Sequence, residues 1–148
     1  MITKLVGSQQ SLILLIQYLK DVDLDFSIPL SQKIELDSYA EKLLTYGNIH
    51  VSIEDDQIEA IIGYYSNDFE RYTAVLSILS TKEKARGKGI AKKLVIEAID
   101  VCKKNQMKHF IVDSVNPIAI NLYKSLGFKL FKTEIINGLI KEYLVLDF

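Results

Sequence analysis

Arg86-Gly87-Lys88-Gly89-Ile90-Ala91 is the stretch that decides how this chain is read. It follows a β-like run over residues 72–80 and opens a helix, because Ile90, Leu94, Val95, Ala98, Ile99 and Cys102 recur at helical spacing. Two glycines let the backbone turn closely against a ligand. The first amides of a helix have no internal partners, and the helix dipole is positive at that end. Arg86 and Lys88 add full charges to the same spot. Amides, dipole and cations together describe a phosphate or pyrophosphate cradle. Neither common nucleotide spelling is present: Gly89 is followed by Ile90 and Ala91 rather than Lys-Ser/Thr, and Lys92 stands where a dinucleotide fingerprint needs glycine.

Working outward, residues 2–6 read as a first strand, and Ser8 caps a helix reaching Lys20 with Leu12, Leu15, Ile16 and Leu19 on one side. Residues 22–35 read as irregular, since Pro29 excludes a helix interior. Asp37 is expected to cap a short helix that runs to Tyr46 and stops at Gly47. Strands follow at 49–53, 58–65 and 72–80, separated by the turns Asp55-Asp56 and Asn67-Asp68. His50 is read as lying just before the first of these, and His109 as a strand-edge residue. Beyond the central helix come a strand at 110–115 and a helix started by Asn116-Pro117 and ended by Gly127. The chain closes with strands at 128–136 and 139–146 around Asn137-Gly138. The order β-α-α-β-β-β-α-β-α-β-β predicts an α/β fold, a mixed sheet covered by helices.

Composition bounds the function. The chain has 148 residues, 49% of them apolar and 25% charged, which is ordinary for a globule and wrong for a disordered chain. The longest purely apolar run, residues 12–16, is five residues long, so no membrane span and no membrane partner is expected. No signal peptide is read at the N-terminus, and the single cysteine, Cys102, excludes an internal disulfide. With two histidines and one thiol there is no zinc spacing, so a cytoplasmic, metal-free protein is expected. Net charge is −1, yet residues 1–70 carry four lysines against twelve acids, while residues 82–93 carry six cations against Glu83 alone. A short basic cluster in a near-neutral domain suits a compact anion better than a nucleic-acid track, so no nucleic-acid partner is expected. The acidic first half predicts a substrate that carries positive charge.

Twenty-five residues after Ala91 begins Asn116-Pro117-Ile118-Ala119-Ile120-Asn121-Leu122-Tyr123-Lys124-Ser125-Leu126-Gly127-Phe128. The first stretch resembles the R/Q-x-x-G-x-G/A signature of the GNAT superfamily of acyl-CoA-dependent N-acetyltransferases. The second is similar to that family's N-x-x-A-x-x-L-Y-x-x-x-G-F motif at every specified position. The resemblance covers roughly residues 49–147. It implies a mostly antiparallel, twisted sheet of six to seven strands with about four helices, splayed between the fourth and fifth strands, in one domain spanning 1–148. Residues 1–48 would form the acceptor side, and 49–148 the acetyl-CoA core and C-terminal hairpin. It further implies acetyl-CoA as co-substrate, with pantetheine paired to the backbone of Leu79, Ser80 and Thr81. The pyrophosphate would lie on Arg86, Gly87, Lys88, Gly89, Ile90 and Ala91. Asn116 would hydrogen-bond pantetheine, and Tyr123 would be general acid to the coenzyme A thiolate. The family's V-x-P is replaced here by Thr81-Lys82-Glu83, a mild departure because that contact is made by backbone.

The activity implied is acetyl transfer to a primary amine of a small molecule or peptide by direct attack, in a monomer or homodimer. A backbone N–H near Leu79 would serve the carbonyl oxygen. No base is assigned: residues 72–80 hold no acid or histidine, and Glu59 and Glu70 are the nearest carboxylates. The alternative is a non-catalytic acyl-CoA-binding or regulatory domain that retains the cradle.

Overall fold

The computed structural model describes residues 2–148. Its elements are β1 (Ile2–Lys4), α1 (Gln9–Val22), α2 (Leu36–Tyr46), β2 (Asn48–Glu54), β3 (Gln57–Tyr65), β4 (Thr73–Thr81), α3 (Ile90–Lys104), β5 (His109–Ser114), α4 (Pro117–Ser125), β6 (Lys129–Ile136) and β7 (Leu139–Asp147), with short 3₁₀ turns at Asp23–Asp25, Leu30–Gln32 and Glu83–Ala85. The order is the one read from the sequence. One seven-stranded sheet runs β1-β2-β3-β4-β5-β7-β6, and every neighbouring pair is antiparallel except β4 with β5.

The period of two along β3 sends Ala60, Ile62 and Tyr64 into one core and Ile61 into the other. The first core lies under α3 and α4, with Leu94, Val95, Ala98, Tyr123 and Phe128. The second lies under α1 and α2, with Leu15, Tyr18, Leu19, Ala40 and Leu43. Covered on both sides, β3 is buried from Ile58 to Tyr64, which is why its sequence reads as a nearly continuous apolar run. Cys102 is fully buried in the first core, where desolvation pushes its thiol up to about 12.

Local readings differ in two places. Ser8 caps α1 as expected, its side chain accepting from the Ser11 amide. The cap of α2 is Glu35 rather than Asp37. Asp37 sits one position inside the helix, where its charge favours the dipole, while the Ser38 hydroxyl donates to the Glu35 carboxylate. His50 lies inside β2 and is buried, with Nε2 2.8 Å from the Tyr64 hydroxyl and the two rings stacked. Burial pulls this imidazole below its ordinary pKa, the Glu97 carboxylate opposing and Lys4 assisting.

That shift has a testable sign. The folded chain holds His50 neutral, whereas the unfolded chain takes up a proton near pH 6.5. Stability from this residue is complete above pH 6.5 and falls on acidification through that value toward the lower folded pKa, by at most about 1.4 kcal/mol per pH unit. Urea melts of wild type and His50→Gln between pH 7.5 and 5 should show the shallower pH slope in the variant. Parallel slopes would remove His50 from the acid response.

Candidate active site

The sheet opens where β4 leaves β5. Their parallel pairing is confined to Thr73–His109, Ala74–Phe110 and Val75–Ile111. Beyond that, β4 pairs only with β3, and β5 only with β7 through Val112–Leu144, Asp113–Tyr143 and Ser114–Glu142. The cause is visible in the register of β4 on β3: Tyr64 faces Leu76 and Gly63 faces Ile78, so Ser77 is an extra residue, a β-bulge. A bulge bends its strand and re-aims its side chains. Ala74 and Leu76 point into the α3–α4 core, whereas after the bulge Ile78 joins the α1–α2 core and Leu79 packs toward α3. The far end of β4 therefore turns away from β5, as the resemblance implied for the fourth and fifth strands.

Two tyrosines hold the bulged end from the first 48 residues. The Tyr39 hydroxyl of α2 shares a hydrogen bond with Ser77 Oγ, and the Tyr18 hydroxyl of α1 donates to Ser80 Oγ at 3.0 Å. Burial raises both phenols, Tyr39 to about 12, so both stay protonated at neutral pH. Nothing in the local sequence marks Ser77, Tyr39 or Tyr18, because a bulge is set by pairing with another strand. The nearest carboxylates are Glu59 and Glu70. Glu59 on β3 is buried and accepts from the Ser52 hydroxyl of β2, while Glu70 lies on the exposed turn after Asp68.

From Thr81 the chain makes the Glu83–Ala85 turn, tucks Ala85 into the protein and reaches the glycines. Gly87 and Gly89 hold φ of +79° and +76°, which a side chain resists. A Cβ at either would meet nothing within 4 Å, so the space before this backbone is open. Gly89 is the N-cap of α3 and offers no capping side chain, leaving the first-turn amides at Ile90 and Ala91 for a ligand. Lys84, Lys88, Lys92 and Lys93 are exposed and form no ion pair among the described residues. Arg86 is already engaged: its Nε donates to the Thr81 carbonyl at 3.0 Å and its guanidinium lies 3.4 Å from Asp25. Lys82 reaches Asp21 at 3.4 Å. Part of the acid surplus of the first half thus faces the basic loop rather than an acceptor. Asp23 is held by Ser31, whose hydroxyl and amide keep its carboxyl below the usual range.

Across the gap stands α4. Asn116 caps it, Oδ1 accepting from the Ile118 amide at 2.9 Å, and its Nδ2 has no partner among the described residues. Two turns on, Tyr123 is 1% exposed, its ring 5.6 Å from Phe128. Its hydroxyl makes no hydrogen bond among the described residues. No fully buried polar side-chain atom among the described residues lacks a partner, so the phenol oxygen keeps contact with the surface. Burial, reinforced by the Asp113 carboxylate, raises this phenol well above the ordinary tyrosine value. Among the described residues no cluster of three His, Cys, Asp or Glu could hold a metal ion, and no helix is long and apolar enough to cross a membrane.

The chain matches the model of the acetyltransferase (GNAT) family over residues 16–128. A search of curated proteins by sequence finds no match. Solved structures share the fold. A ribosomal-protein-alanine N-acetyltransferase from Brucella melitensis superposes with TM-score 0.80 at 19% identity, over 100% of this chain and 99% of that one. A putative acetyltransferase of Salmonella typhimurium, solved with acetyl-CoA, gives 0.77 at 19%, over 99% and 94%. A chain of the NatC complex bound to Gag peptide and CoA gives 0.80 at 22%, over 99% and 98%. With the family model matched over most of its length, and the splayed sheet and glycine-led helix in place, the chain belongs to the GNAT acetyltransferase family.

Proposed function

We propose that this protein is an N-acetyltransferase that moves the acetyl group of acetyl-CoA to a primary amine of a small molecule or peptide. The observation that supports the reading is the gap opened by the Ser77 bulge between β4 and β5, with the open glycine backbone ahead of α3 following β4 and α4, which carries Tyr123, following β5. Acetyl-CoA supplies the thioester carbonyl. Its pyrophosphate suits the open backbone at Gly87 and Gly89, the amides of Ile90 and Ala91, and the charges of Arg86 and Lys88. Leu79, Ser80 and Thr81, which have β3 on one side and no strand on the other, suit pantetheine. The free Nδ2 of Asn116 is a donor toward it.

In the transfer, the neutral amine attacks the carbonyl carbon, a C–N bond forms and the C–S bond breaks. A backbone N–H near Leu79 donates to the carbonyl oxygen as charge grows there. Tyr123, kept protonated by its surroundings, donates to the departing sulfur. The amine's surplus proton leaves through water, with Glu59 engaged by the Ser52 hydroxyl and Glu70 on an exposed turn. Residues 1–48 form the acceptor side. A peptide amine is the favoured acceptor, because one protein of this fold is a ribosomal-protein-alanine N-acetyltransferase and another was solved bound to a Gag peptide and CoA.

The test is incubation with acetyl-CoA and a panel of polyamines, amino acids and peptides with free N-termini, read by mass spectrometry of the products. Acetylated peptide is the expected result. Tight acetyl-CoA binding with no product across the panel would identify a non-catalytic acyl-CoA-binding domain instead.

A further inference from the structure

The two edges of the sheet are treated differently. β1, at one edge, is three residues long, which leaves little backbone for another chain to pair with. β6, at the other, is eight residues long, contains no proline and is exposed over most of its length. Its apolar side chains are also outside: Leu130 is 47% exposed, Phe131 51% and Ile135 78%. A long edge with exposed apolar residues is a template for strand pairing unless something covers or blunts it.

The sequence of that edge is complementary to itself. It reads Lys129-Leu130-Phe131-Lys132-Thr133-Glu134-Ile135-Ile136. Placed antiparallel against a second copy with Thr133 opposite Thr133, Lys132 of each strand faces Glu134 of the other. In the same register Phe131 faces Ile135 and Leu130 faces Ile136. Opposite charges and apolar residues directly across a strand pair are stabilising, and like charges are not. Neighbouring registers lose this match. A shift of one residue sets Phe131 against Glu134 or Lys132 against Ile135, and a shift of two sets Lys132 on Lys132 or Glu134 on Glu134. Within one chain Lys132 and Glu134 lie 3.6 Å apart on the same face, so both charges are already presented together. The bulge between Leu130 and Lys132 loosens the ladder at the flank, where the apolar pairs then act as packing contacts rather than rungs.

We propose that β6 pairs with β6 of a second copy of this chain about a two-fold axis at Thr133, joining two seven-stranded sheets into one. The contact is isologous, so the pair closes on itself and does not propagate. Each substitution in it also acts twice.

The experiment is sedimentation of the full chain, with circular dichroism to verify folding. Wild type is expected to sediment as a dimer of the 16.8 kDa chain. Lys132→Glu and Glu134→Lys each set like charges opposite one another at two symmetric positions, and each should weaken association at least tenfold. An equimolar mixture of the two variants restores both charge pairs across a mixed interface, so the mixture should dimerise as wild type does. Thr133→Arg, at an exposed position, places two cations on the axis and should give a folded monomer. A wild type that stays monomeric across the micromolar range overturns the proposal. So do single variants that dimerise undiminished, or a mixture that fails to recover while both variants are folded.

Discussion

Tyr123→Phe is expected to lower kcat roughly 10–100-fold while acetyl-CoA affinity and melting temperature stay near wild type. The ring is packed in the α3–α4 core against Phe128, and phenylalanine preserves that packing. Its hydroxyl has no partner among the described residues, so removing it strands no buried group and should cost little stability. What is lost, in the proposed mechanism, is the donor to the departing sulfur. General acids contribute about 10²–10⁴ in rate, highest when their pKa lies near the working pH. Burial and Asp113 hold this phenol well above that point, which favours the lower end of the effect. The same shift predicts no loss of activity from Tyr123 ionisation anywhere in the neutral range. Steady-state kinetics beside calorimetric binding make the distinction: a variant that melts early yet turns over normally once folded would reduce Tyr123 to a core residue.

Arg86→Glu should raise the Kd for acetyl-CoA at least tenfold. A charge-assisted hydrogen bond contributes about 1.5–3 kcal/mol, and the substitution also sets a carboxylate beside Asp25. The Arg86 side chain is 54% exposed, so the fold should survive, although its hydrogen bond to the Thr81 carbonyl goes as well. Asp25→Asn acts in the opposite direction. It frees the guanidinium from a competing anion and should tighten acetyl-CoA by a few-fold at most, because an exposed ion pair is worth about 0–1 kcal/mol. Titration calorimetry reads both. Unchanged affinity in Arg86→Glu would take this residue out of the cradle.

The order of elements was legible because each boundary carries local chemistry. Ser8, Gly47, Asn116-Pro117 and Asn137-Gly138 act within a few residues of themselves, and the shift from alternating to helical spacing at Gly89 needs no distant partner. The positions of Arg86, Gly87, Gly89, Asn116 and Tyr123 were legible for the same reason, as two short motifs at fixed spacing. What stayed hidden depends on contacts between remote segments. Ser77 became a bulge only through its register on β3, and Tyr18 and Tyr39 reached β4 only because α1 and α2 cross that face. The acids at 21 and 25 looked like a field for a cationic acceptor, yet folding brings them against Lys82 and Arg86. His50 looked peripheral because a polar residue next to apolar ones resembles a strand boundary. Its partner, Tyr64, lies fourteen residues on, across the hairpin.

Cys102 bears on how the chemistry can be followed. The chain's only sulfhydryl sits at 0% exposure with its ionisation pushed up to about 12. A coloured aromatic disulfide needs an accessible thiolate, so the native protein should be silent toward it. Any signal that appears after acetyl-CoA and an amine are mixed then reports free coenzyme A, one equivalent per turnover, with no blank from the catalyst. The same reagent, added during a denaturant ramp, would report opening of the α3–α4 core as one sulfhydryl per molecule.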